Sequence, residues 1–148
     1  STHMTGELFD LLCRHSILAQ SVSPGALAED EARAEDFRQG VVDALRDGMS
    51  RSLFGVRARD LLRGTPRRAN TCYLSGVLIG SEAAAIAAKP RQPTIVAAPS
   101  SLAACYRRAF AVAGIEGVRI VAAEDLDLAL VAAQHTVLRR AGKEEHSV

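Results

Sequence analysis

At 148 residues, with 48% apolar and 24% charged side chains, the chain has the size and composition of one soluble globular domain, which excludes a disordered or fibrous polymer. A net charge of +1 gives no bulk electrostatic reason to bind nucleic acid or a membrane surface. Aromatic residues are 4% and Trp is absent, so the core has to be built from Ala, Leu and Val.

The chain starts at Ser1, not Met, as an excised, processed or tagged polypeptide does, and no secretory signal opens it. Thr2, His3 and Met4 read as the end of an edge strand. Thr5 offers an N-cap hydroxyl to a helix with Leu8, Leu11 and Leu12 on one face, running to about His15. Residues 21–28, with Pro24 and Gly25, read as a loop. From Glu29 the acids Glu29, Asp30, Glu31, Glu35 and Asp36 load the start of a second helix, where the macrodipole favours them. Phe37, Val41 and Leu45 are its expected buried stripe and Gly48 its stop. A third helix over 50–62 carries Leu53, Val56 and Leu61 and is closed by Gly64 and Pro66.

The organising stretch follows, centred on residues 73–88, which is apolar on nearly every side. A helix of that kind belongs in an interior. Asn70, Ser75, Ser81 and Glu82, together with its Ala-rich composition, argue against a membrane span. Gly76 and Gly80 lie four apart on one face, so another backbone or a ligand is expected close to them. Beyond it the pattern changes to a buried strand over 94–97, a helix capped by Ser100 or Ser101 with Leu102, Tyr106 and Phe110 inside, and a stop at Gly114. A second strand over 118–121 and a last helix carrying Leu126, Leu130, Ala133 and Val137 complete the reading, with a frayed polar tail over 142–148. Strand, helix, strand with short connections implies a parallel crossover. Two strands are few for a covered parallel sheet, so the sheet is expected to be completed by residues outside this chain or by another copy.

Cys13, Cys72 and Cys105 are odd in number and sit in apolar helical patterns, which fits reduced, buried thiols in a cytoplasmic protein. The four histidines, His3, His15, His135 and His146, show no metal-ligand spacing. Neither a P-loop nor a dinucleotide-binding fingerprint is present, and no Ser-His-Asp or Cys-His arrangement can be read.

Four collinear stretches carry a family resemblance: Thr2-His3-Met4-Thr5-Gly6-Glu7-Leu8-Phe9, Leu53-Phe54-Gly55-Val56-Arg57-Ala58-Arg59, Tyr73-Leu74-Ser75-Gly76-Val77-Leu78-Ile79-Gly80-Ser81-Glu82, and Ile95-Val96-Ala97-Ala98-Pro99 followed by an Ala-rich helix with Tyr106. In this order they resemble the C-terminal half of the 2-keto-3-deoxy-galactonokinases, bacterial sugar-acid kinases that look like members of the actin-like, sugar kinase and heat-shock ATPase superfamily. The first stretch also absorbs the start of the chain, which would otherwise read as a cloning remnant.

The resemblance implies a helix-rich α/β fold, the C-terminal half of a ribonuclease H-like (actin-like ATPase) kinase with short parallel strands and covering helices. It places a nucleotide-side domain over residues 1–141 and leaves 142–148 as tail. It also implies ATP with Mg2+ as phosphoryl donor and 2-dehydro-3-deoxy-D-galactonate as acceptor, phosphorylated on its 6-hydroxyl in D-galactonate catabolism. The phosphate loops and catalytic carboxylate are expected in a missing N-terminal half, so this chain alone is expected to be inactive.

Within it, Thr5, Gly6 and Glu7 open a helix whose free N–H groups suit a phosphate or a sugar-acid carboxylate, against the plainer reading of a cap. Ala98, Pro99, Ser100 and Ser101 form a strand-to-helix turn suited to nucleotide, although it is poorer in Gly than in many relatives. Gly76, Gly80 and Glu82 are candidates for the adenine side, against helix packing, the preferred reading for Gly76, and a solvated carboxylate. Arg57 is the candidate for an anionic group and Arg59 a surface charge, being two apart on a helix. The rival reading is a non-catalytic helical ligand-binding or interaction domain, and a bare sheet edge would favour a homodimer.

Overall fold

A computed structural model describes residues 4–23, 31–88, 94–99 and 102–122. Its elements are α1 (Thr5–His15), a 3-10 turn (Ile17–Gln20), α2 (Glu31–Asp47), α3 (Met49–Arg63), α4 (Arg67–Ala87), β1 (Thr94–Ala98), α5 (Ala103–Val112) and β2 (Val118–Ala122). The last predicted helix, the tail, Thr2, His3 and most of the 21–28 loop lie outside the described residues.

The chain divides into two units, Ser1–Gln92 with Cys105–Glu116, and Pro93–Ala104 with Gly117–Val148. The first is built around α4, which is buried at every position from Asn70 to Gly80 and again at Glu82 and Ala83. None of the described helices is long and apolar enough to cross a membrane. Helix α2 lies directly on α4. A Cβ at Gly76 would stand 2.1 Å from the Phe37 carbonyl oxygen, one at Gly80 would stand 2.8 Å from Val41 Cα, and one at Gly40 would stand 2.2 Å from the Tyr73 carbonyl oxygen. Glycines on both helices let two backbones touch, and any side chain there would separate them. Gly40 is the half of this contact that the sequence reading missed.

The buried faces are rotated from the expected ones. On α2 the core residues are Phe37, Val41 and Ala44, with Leu45 only half-buried, because the glycine contact sets which side meets α4. On α1 the chain buries Cys13 and packs Leu8, Phe9 and Leu12 against the core while Leu11 is 48% exposed. On α3 Ser52 and Val56 face inward and Leu61 is exposed, not buried. Thr5 is the first residue inside α1, and Met4 occupies the cap position without a side-chain bond. The expected stops do hold: Gly48 (φ 79°) and Gly64 (φ 59°) occupy the left-handed region, where a side chain is strained.

In the second unit β1 and β2 pair in parallel, in register from Thr94 opposite Val118 to Ala98 opposite Ala122. The expected strand–helix–strand order is thus observed.

Candidate functional site

Among the described residues a connected polar cluster lies where α2, α3 and α4 meet the segment after the 3-10 turn. Asn70 is wholly buried. Its Nδ2 donates to the carbonyls of Ser21 (3.2 Å) and Val56 (3.3 Å), and its Oδ1 accepts from Arg59 Nε at 3.2 Å. Arg59 also pairs with Asp36, and its guanidinium carbon lies 4.6 Å from the centre of the Tyr73 ring. Tyr73 Oη donates to Asp43 at 2.9 Å. A parallel chain of bonds runs from Arg57 Nη1 to Ser21 Oγ (3.0 Å) and from Ser21 Oγ to Asp60 Oδ2 (2.7 Å), with Arg57 and Asp60 3.4 Å apart. Thr71 Oγ1 accepts from Ser23 N–H at 2.9 Å, which holds the same segment to α4.

Arg57 and Arg59 are each matched by a carboxylate, and Asp43 pairs with Arg46 at 2.9 Å, so the cluster is a charge-balanced strut. Arg59 is corrected from a surface charge to the more buried of the two, with its side chain 16% exposed against 25% for Arg57. A guanidinium can be held this deep because it stacks on a ring and uses its planar fork at once. Arg57 does reach an anion, that of Asp60. Sequence reasoning missed Asn70, Asp36, Asp43 and Ser21 as a set. The one visible signal was a polar Asn in an otherwise apolar helix.

Glu82 is also buried, not solvated, and accepts from Tyr106 Oη at 2.9 Å, which ties α4 to α5. Burial, then the charge of Glu82, pushes the Tyr106 phenol above its ordinary range. Burial and the bond to Asp43 do the same for Tyr73. Burial, with Asp10 adding to it, raises the Cys13 thiol.

The other predicted site residues lie apart from this cluster. Gly6 and Glu7 are exposed at the start of α1 and line an open depression along that helix with Asp10, Leu11, Arg14 and His15. Thr5 is half-buried beside them, and a Cβ at Gly6 would meet nothing within 4 Å. Among the described residues Arg57 makes no bond to Thr5, Gly6 or Glu7; its partners are Ser21 and Asp60. Gly80 has Val41 and Ala44 against it, so helix contact alone accounts for a glycine there. At the end of β1, Ala98 is buried and Pro99 exposed, and the Pro99 carbonyl accepts from Leu102 N–H at 2.8 Å, closing a turn into α5. Ser100 and Ser101 lie outside the described residues.

A family model described as 2-keto-3-deoxy-galactonokinase matches residues 1–133. The chain belongs to that family. It is 42% identical over 94 residues to a probable 2-dehydro-3-deoxygalactonokinase of Rhizobium meliloti (strain 1021), covering 57% of this chain and 28% of that protein. It is 36% identical over 119 residues to the 2-dehydro-3-deoxygalactonokinase of Escherichia coli (strain K12), covering 78% of this chain and 39% of that one. A crystal structure of a Sinorhizobium meliloti protein, provisionally named a 2-dehydro-3-deoxygalactonokinase, superposes with a TM-score of 0.69 at 35% identity, over 84% of this chain and 40% of that one. The chain thus spans well under half the length of these galactonokinase relatives.

Proposed function

We propose that this chain is the C-terminal, nucleotide-side part of an ATP-dependent kinase that transfers phosphate to the 6-hydroxyl of 2-dehydro-3-deoxy-D-galactonate, in a cytoplasmic ribonuclease H-like enzyme. The supporting observation is the parallel pair β1–β2 with α5 entered directly from the carboxyl end of β1, in a chain of this family. In open α/β sheets ligands sit beyond the carboxyl ends of the strands, and a helix start there supplies unpaired backbone donors. Ala98, Pro99, Ser100 and Ser101 are therefore assigned to the nucleotide, with Gly80 as a second, weaker candidate because helix packing already explains it.

The start of α1, with Gly6 and Glu7 exposed and Thr5 half-buried, suits the sugar-acid carboxylate or a phosphate, and its open approach at Gly6 fits a ligand. Arg57 fits less well, since a ligand anion there would compete with Asp60 for the same guanidinium. ATP would supply the phosphoryl group, and Mg2+ would offset phosphate charge. The catalytic carboxylate and phosphate loops are assigned to the preceding half of the polypeptide.

The test is a coupled ATP-consumption assay with 2-dehydro-3-deoxy-D-galactonate on the full-length protein and on this chain alone. Turnover is expected from the first and none from the second; turnover by this chain near the 1 to 100 per second typical of kinases would overturn the division of labour. In the full-length protein Ser101→Glu is expected to raise the KM for ATP and leave that for the acceptor nearly unchanged. The opposite pattern would place this turn on the sugar-acid side.

A further inference from the structure

Helix α3 turns Ser52, Val56 and Arg59 inward. Its other side carries Phe54, Ala58, Leu61 and Leu62, at the i, i+4, i+7 and i+8 spacing of one helical stripe. Phe54 is 73% exposed, Leu61 66% and Leu62 82%. The single carboxylate of α3, Asp60, is engaged by Ser21 and Arg57, so no acid interrupts the stripe. Scattered exposed apolar residues are ordinary, whereas three large ones aligned on one helix mark a contact surface.

Two observations select the occupant. A 15-residue helix is about 22 Å long, and a stripe one helix wide falls short of the roughly 800 Å² that each partner contributes to a stable interface between separate proteins. Such a stripe is sufficient where the partner is tethered and its local concentration is high. The chain also covers only 28% and 39% of its two relatives, so in a protein of their length more than half the polypeptide lies outside it.

We infer that the α3 stripe is the seat of that remaining polypeptide, an intramolecular interface in which an apolar patch of the preceding half covers Phe54, Leu61 and Leu62. The inference rests on the reading of this chain as part of a longer kinase, and it makes α3 a structural link between the halves instead of a ligand site.

The experiment is photo-crosslinking of the full-length protein carrying p-benzoylphenylalanine in place of Phe54, with peptide mapping of the products. The expected result is a cross-link, at monomer mass, to a segment outside these 148 residues. A product of twice the monomer mass would assign the stripe to a second copy, and a probe that stays unreacted would show it facing solvent; either overturns the inference. Turnover measured on the same preparation separates the two claims. An internal cross-link in a protein without kinase activity would defeat the proposed reaction and leave the interface standing, and an active enzyme with a two-copy product would do the reverse.

Discussion

The two flanks of α4 are buried in opposite ways. Against α2 the contact is backbone on backbone, admitted by Gly40, Gly76 and Gly80. Against α3 it is polar: Asn70 and Tyr73 of α4 hold Arg59, which reaches across to Asp36 on α2. The first flank tolerates no added atoms, and the second tolerates no lost bonds. One helix can thus be interior all round without an all-apolar surface, because Asn70, Tyr73 and Glu82 each reach a hydrogen-bond partner on another element.

The sharpest way to break this contrast is to add volume on the glycine flank. Gly76→Leu places carbon where the Phe37 carbonyl already stands, and a loss of about 3 kcal/mol in denaturant unfolding is expected; a near-neutral result would show that the helices part without strain. On the polar flank Asn70→Leu keeps the volume but takes a donor from the Ser21 carbonyl and an acceptor from Arg59 Nε, and the expected cost is about 2 kcal/mol in the same measurement. Equal tolerance of both changes would erase the distinction.

A third test uses pH. Tyr73 and Tyr106 both have phenols raised above their ordinary value, chiefly by burial, so the fold favours their protonated forms. That contribution is fully present below the unfolded value of about 10 and is lost as pH rises through the folded values. Unfolding midpoints are therefore expected to fall above about pH 10, and Tyr106→Phe to flatten the fall while costing about 1 kcal/mol at neutral pH. An unchanged alkaline slope would show that Tyr106 does not titrate with unfolding.

The smallest effect is expected at Gly6, a glycine with no neighbour and so the converse of Gly76. Gly6→Ala is expected to stabilise α1 by about 0.5 kcal/mol. If the start of α1 meets the sugar acid, the same change in the full-length enzyme raises the acceptor KM although stability has improved; an unchanged KM would return Gly6 and Glu7 to a helix start and nothing more.

Much of this fold was legible locally. The apolar run that became α4, the glycine stops at 48 and 64, the two strands and the helix between them all follow from periodicity and turn chemistry, which act over a few residues. The four motifs and their order carried the family for the same reason, since a collinear pattern needs no geometry. What local pattern could not supply was which side of each helix faces in. Leu11 and Leu61 have the spacing of core residues and lie outside, while Arg59 has the composition of a surface residue and lies inside.

The sequence by itself determined, for α1 to α5 and the two strands among the described residues, where the chain is helical or extended, that α4 is interior and that the chain is a galactonokinase relative. Only the tertiary structure decided the rotation of α1, α2 and α3 about their axes, the pairing of Gly40 with Gly76 and Gly80, and the partners of Asn70, Arg57, Arg59 and Glu82. The physical reason is one of range. Helix and turn preferences are set by neighbours within about four residues, whereas Arg59 finds Asp36 twenty-three positions away and Asn70 finds Ser21 forty-nine away, distances along the chain that only packing can close.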